Sequence, residues 1–68
     1  MSIARELLKL VPVGEENAVT GLLLWRQLGM WSAETIKKKL NGLAAAGLIE
    51  RKMVFRDARP TSLYYRRP

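Results

Sequence analysis

Ser32-Ala33-Glu34-Thr35-Ile36-Lys37-Lys38-Lys39-Leu40-Asn41-Gly42-Leu43-Ala44-Ala45-Ala46-Gly47-Leu48 is the stretch whose reading decides how this chain folds. Its spacing predicts one amphipathic helix over about 33–46, marked at both ends. Ser32 is an N-cap, because its hydroxyl can accept a bond from an orphan backbone N–H of the first turn. Glu34 puts negative charge near the positive end of the helix dipole. Gly47 supplies the left-handed conformation that closes a helix. Ile36, Leu40, Leu43 and Ala44 fall on one face. Lys37, Lys38 and Asn41 share the other side, while Lys39 points elsewhere. Such a helix can dock on a small core and still offer a basic side to a polyanion.

Upstream, Thr20 reads as the N-cap of a helix over about 21–28, with Leu24 and Leu28 toward the core and Gly29 at its end. Leu22 and Leu23 cannot both be buried beside Leu24 and Trp25, so apolar surface is expected to stay exposed there or to meet a partner. Trp25 and Trp31, flanked by leucine and methionine, are expected in the core rather than as stacking platforms for bases. A first helix, about 3–10, is expected to be capped by Ser2, with Ile3, Leu7 and Leu10 on one face, and Leu8 and Val11 beside it. Pro12 ends it. Pro12 to Asn17 is a polar loop turning at Gly14, and Ala18-Val19 is a candidate for a very short extended segment.

Downstream of Gly47 the period changes, and residues 48–66 read as a hairpin. One strand runs from Leu48 to Arg56, Asp57-Ala58-Arg59-Pro60 forms the turn, and a second strand runs from Thr61 to Arg66. Tyr64 and Tyr65 should face opposite ways, one of them inward. Arg67 and Pro68 are expected to fray. The expected fold class is therefore mainly α with a C-terminal β-hairpin (α+β), one domain over 1–68 with three helices and a two-stranded hairpin.

With 68 residues and neither cysteine nor histidine, the chain has a thin core, no disulfide and no zinc site of the usual kind. Catalysis needs a nucleophile with a base, paired carboxylates or a metal. Glu15-Glu16 in a loop is better read as solvated, and there is no glycine-rich phosphate loop. The expectation is no enzyme, no cofactor and no small-molecule ligand. Met1 to Leu10 carries Arg5, Glu6 and Lys9 within its apolar run, which is no signal-peptide pattern, and no run is long enough for a membrane span. A cytoplasmic protein is expected. The net charge of +6 is lopsided. Residues 1–34 carry three cations against four carboxylates, for −1, and residues 35–68 carry nine cations against two carboxylates, for +7. That asymmetry points to an anionic partner.

Leu24-Trp25-Arg26-Gln27-Leu28-Gly29, then Ser32 to Leu40 with its Ser-x-x-Thr-Ile-x-x-x-Leu start, then Leu43 and the exit Ala46-Gly47-Leu48-Ile49-Glu50-Arg51, followed by Tyr64-Tyr65-Arg66, form a connected pattern. It resembles the winged helix-turn-helix DNA-binding domains of small prokaryotic transcriptional regulators, over nearly the whole chain. The resemblance implies that the third helix lies in the major groove and that the hairpin, the wing, lies on the backbone or in the minor groove. Carried over by position, the DNA-binding residues would be Ala33, Glu34, Thr35, Lys37, Lys38 and Asn41 on the helix, and Arg56 and Arg59 on the wing.

In that setting lysine can reach guanine acceptors and asparagine can pair with adenine. Arg51, Lys52, Arg66 and Arg67 would add attraction to phosphate. Two features depart from the family pattern. The turn Gly29-Met30-Trp31-Ser32 is one residue longer than the commonest form, and Glu34 would repel phosphate unless it accepts from a cytosine amino group. The expected function is sequence-specific binding of double-stranded DNA and transcriptional regulation, with nucleoid association when bound. A homodimer or a protein co-regulator is the candidate protein partner. The alternatives are a winged-helix protein–protein interaction module and, more weakly, RNA or single-strand binding through Trp31 and a tyrosine.

Overall fold

The computed structural model describes residues 3–68, so the expected cap Ser2 lies outside the described residues. Helix α1 spans Ile3–Leu10, α2 Gly21–Leu28 and α3 Ala33–Ala45. A short 3-10 turn, Glu15–Asn17, precedes strand β1, Val19–Thr20. Strands β2, Glu50–Arg56, and β3, Arg59–Tyr65, complete the order. The fold is α+β, three helices with an antiparallel hairpin, compatible with a winged-helix layout.

Each long-range arrangement starts from a local signal. The Ser32 hydroxyl accepts from the Thr35 backbone N–H at 3.1 Å and so caps α3. Beyond α3, Gly47 has φ 79°. Its N–H donates to the Ala44 carbonyl and the Leu48 N–H donates to the Leu43 carbonyl, both at 3.0 Å. That pair of bonds satisfies carbonyls that the helix end would otherwise orphan. Thr20 serves twice, as the last residue of β1 and as the N-cap of α2, where its Oγ1 accepts from the Leu23 N–H at 3.2 Å. Gly29, at φ 66°, ends α2. The connection into α3 is then held by the Trp25 indole, whose Nε1 donates to the Trp31 carbonyl at 2.8 Å.

The core gathers Ile3, Leu7 and Val11 from the first segment, Leu24 from α2, Ile36, Leu40 and Leu43 from α3, and Ile49 and Tyr64 from the sheet end. Trp25, Leu28 and Ala44 pack against it, partly buried. Trp31 departs from the expectation: it is 37% exposed, in the turn between α2 and α3, where its carbonyl accepts from the Trp25 indole. Leu22 and Leu23 stay exposed, at 53% and 43%, since Leu24 takes the inward position on this short helix.

The sheet has three strands, not the expected two, in the order β1-β3-β2. Val19 pairs with Tyr64 and Thr20 with Leu63. A two-residue strand is too short to show a period, which is why only a hint of it is readable in Ala18-Val19. The hairpin also closes more tightly than expected. Its ladder runs from Glu50↔Tyr65 to Arg56↔Arg59, and the turn is Asp57-Ala58 alone, at φ 50° and 62°. Positive φ at both central residues is the two-residue turn whose twist matches the strands.

Pro60 reads as turn punctuation but sits inside β3. With Arg56↔Arg59 closing the turn, Phe55↔Pro60 is the next rung, of the kind that exchanges no hydrogen bonds across the pair. The N–H that proline lacks would point to the side that β1, paired only at residues 63 and 64, does not reach. At the other end Arg66 is held: its N–H donates to the Pro12 carbonyl at 2.7 Å and its Nε to the Val11 carbonyl at 2.7 Å, while the Gly14 N–H donates to its carbonyl at 2.9 Å. Arg67, expected to fray, forms an ion pair with Glu50.

Ala58 carries a Cβ in the left-handed region, where glycine sits without strain. Ala58→Gly should therefore stabilise the protein by about 0.5–1 kcal/mol, the strain relieved outweighing the added freedom of the unfolded chain. Urea unfolding should show a higher midpoint with an unchanged slope; a lower midpoint would mean that the turn is unstrained.

Candidate nucleic-acid interface

Helix α3 buries Ile36, Leu40 and Leu43 and turns Ala33, Glu34, Lys37, Lys38, Lys39 and Asn41 outward. The lysines fan out around it. Lys37 and Ala33 line an open cleft of about 460 Å³ between the start of α2 and the Pro60–Ser62 part of β3. Lys38 and Lys39 instead border a depression beside Ala4 of α1, with Thr35 and Gly42. Thr35 is partly buried, and its hydroxyl accepts from the Ser32 hydroxyl at 2.8 Å, so it is tied to the cap that starts its own helix. Glu34 is exposed in the first turn.

Asn41 is exposed but not free. Its Oδ1 accepts from the Tyr64 hydroxyl at 3.3 Å and from Arg51 Nη1 at 3.4 Å. Both acceptor positions of the amide oxygen are thus directed at the sheet, and only the amide N–H groups remain to offer outward. A bidentate pairing with adenine, which needs the oxygen as acceptor, would require these bonds to break; donation to a purine N7 would not.

At the far end of the hairpin, Arg56 and Arg59 form the last rung before the turn, both exposed. Neither they nor Lys37, Lys38 and Lys39 have an ion-pair partner among the described residues. The four residues expected only to add attraction for phosphate have internal work as well. Lys52 pairs with Glu15 at 3.6 Å, Arg67 pairs with Glu50, Arg66 holds backbone carbonyls and Arg51 reaches Asn41. Carboxylates therefore neutralise Lys52 and Arg67, and leave the cations of α3 and the hairpin tip uncompensated apart from Glu34 and Asp57.

Phe55 was not singled out by its sequence context, yet it stands beside this tip at 77% exposure. The signal was there in the period of two: Arg51, Met53 and Phe55 share one face of β2, and only Arg51 lies over the helices. Among the described residues there is no group of three or more carboxylates that could hold a metal ion, and no helix is long and apolar enough to cross a membrane. Comparison with protein-family models, with curated proteins and with solved structures gave no match.

The Asn41–Tyr64 contact has a measurable consequence. Tyr64→Phe removes a donor and should cost about 1 kcal/mol, whereas Asn41→Ala leaves a partly buried hydroxyl without its acceptor and should cost about 1–3 kcal/mol. Because the two share one bond, the double variant should lose less than the sum of the singles by at least about 0.5 kcal/mol in denaturant titrations. Strict additivity would show that the bond contributes nothing.

Proposed function

We propose that this protein is a winged helix-turn-helix DNA-binding protein that recognises double-stranded DNA sequence-specifically and regulates transcription, without catalytic activity of its own and in the cytoplasm. The observation that carries the reading is the division of α3. One side is locked into the core by Ile36, Leu40 and Leu43, the outer side presents Lys37 and Lys38 with no ion-pair partner among the described residues, and the hairpin tip adds the likewise unpaired Arg56 and Arg59. The element order, three helices followed by an antiparallel hairpin, is compatible with such a domain and supports the reading.

The sizes agree with it. At 13 residues α3 is about 20 Å long, and a helix with its side chains, about 10–12 Å across, fits a major groove about 12 Å wide. Lys37 and Lys38 offer donors to guanine N7 and O6 or to the phosphates beside the groove, and Asn41 offers its amide N–H groups. Glu34 accepts from a cytosine amino group, or else disfavours sites that lack one. Arg56 and Arg59 grip phosphate or the edge of the minor groove. Few base contacts come from one such domain, so two copies, or one copy with a protein co-regulator, would read a full site.

If Lys37, Lys38, Arg56 and Arg59 each neutralise one phosphate, log affinity should fall with log salt at a slope of about −3.6, a loss of roughly 150-fold between 50 and 200 mM. Lys37→Glu with Lys38→Glu should lower duplex affinity by at least about tenfold and shrink the slope by about 1.8. Selection of bound duplexes from a random library should return a defined motif. Salt-independent binding, or no enrichment, would count against the reading.

The second reading is a winged-helix protein–protein interaction module, favoured by the exposed Leu22 and Leu23. The same double charge reversal separates the two: it should weaken duplex binding by at least about tenfold if α3 reads DNA, and leave partner binding intact if the leucine face is the working surface.

A further inference from the structure

The β2–β3 ribbon carries a feature that its arginines do not explain. On the face that Tyr64 presses into the core, Arg51, Met53 and Phe55 of β2 stand opposite Tyr64, Ser62 and Pro60 of β3. Exposure climbs along that row, from 3% at Tyr64 to 52% at Met53 and 77% at Phe55. The Phe55–Pro60 rung lies four residues past the Arg51–Tyr64 rung, about 13 Å farther out at the rise of a strand. No element of the described chain covers it. A phenylalanine so placed adds nothing to the core, and the tight turn of Asp57-Ala58 holds it on a regular ladder up to the tip.

Its neighbours at the tip are Arg56 and Arg59, which project from the other face of the ribbon and have no ion-pair partners among the described residues, with the single carboxylate Asp57 in the turn between them. Two copies meeting end to end at this tip would bring their arginines close together, a like-charge approach that costs affinity. A polyanion with an apolar interior has the opposite character: phosphates outside and stacked bases within.

We propose that Phe55, backed by Pro60, is a wedge that enters a base-pair step through the minor groove and bends the duplex, while Arg56 and Arg59 hold the flanking phosphates. This rests on the DNA-binding reading above. A two-stranded ribbon, with about 4.8 Å between strands before side chains are added, is too wide for a minor groove of about 6 Å, but one ring is not. Phenylalanine and proline are among the apolar side chains that part base steps and kink DNA. The step entered should be a flexible pyrimidine–purine one, where unstacking costs least.

The test uses a duplex of about 25 bp carrying a central TA step with 2-aminopurine, and donor and acceptor dyes at its ends. Wild-type protein should raise the 2-aminopurine emission and bring the ends closer. Phe55→Ala should weaken binding about tenfold and abolish both signals, while keeping the salt slope, because no phosphate contact is lost. Phe55→Leu should retain part of both signals. Phe55→Arg should bind at least as tightly as wild type but without the emission rise, since it gains a cation and loses the wedge. Thermal melts of all three should match wild type, as Phe55 lies outside the core.

The wedge is overturned, and DNA binding left standing, if wild type binds the duplex without either signal or if Phe55→Ala keeps affinity and bending. It is overturned as well if Phe55→Ala dissociates a dimer in sedimentation, which would make the face a contact between copies, or if the variant loses binding to an acidic protein rather than to the duplex. Wild type that fails to bind any duplex at about 100 μM in low salt removes the DNA-binding reading and the wedge together.

Discussion

Tyr64 is the constraint on which the rest of the molecule depends. It sits on the central strand, between Val19 of β1 and Arg51 of β2, so one rung crosses the whole sheet at this residue. Its ring is buried against the helices, close to where Gly21 opens α2; a Cβ on that glycine would come within 3.8 Å of the ring and 3.4 Å of Leu40. A buried tyrosine needs a partner for its hydroxyl, and Asn41 of α3 provides one. A slip of one residue in β3 would bring Tyr65 inward and expel Tyr64, reversing every other side chain of the strand. The register of the sheet and the seating of α3 are therefore a single condition.

From that condition follows the distribution of charge. The chain has twice as many cations as carboxylates, but composition does not say which cations are spent. Folding brings Glu15 to Lys52 and Glu50 to Arg67, and turns Arg66 onto backbone carbonyls. Exposed pairs of this kind contribute little to stability. Their effect is to leave the uncompensated positive charge on the outer side of α3 and at the end of the ribbon. The proposed interface is what remains after the fold has taken its share.

Much of this was legible beforehand because it is local. Ser32, Thr20, Gly29 and Gly47 mark helix ends through bonds to residues three to five away, and the apolar spacing of α3 names its buried face without knowledge of what it packs on. The elements that escaped are those fixed by distant partners. β1 exists only because β3 lies beside it. Pro60 joins a strand only because the turn before it is short and no neighbour asks for its missing N–H. Asn41 looks like an exposed reader of bases until Tyr64 and Arg51, both later in the chain, arrive at its oxygen. Trp31 has the neighbours of a core residue in sequence but not in space. Of the candidate site, the helix lysines and tip arginines were readable as exposed, whereas the commitment of Asn41 and Thr35 and the isolation of Phe55 belong to tertiary structure.

The clamp at Arg66 bears on how the molecule comes together. Its guanidinium meets the Val11 carbonyl across a separation of 55 residues, and the backbone beside it bridges to Val13. Such a closure offers no reward until the strand that carries it is in place, while the entropy of bringing the segments together is spent first. The segment just after α1 and the residue just after β3 thus depend on each other for these bonds, although they lie far apart in the sequence. Loss of this clamp should loosen both segments together, and a domain of this size is expected to gain and lose its order as one cooperative unit.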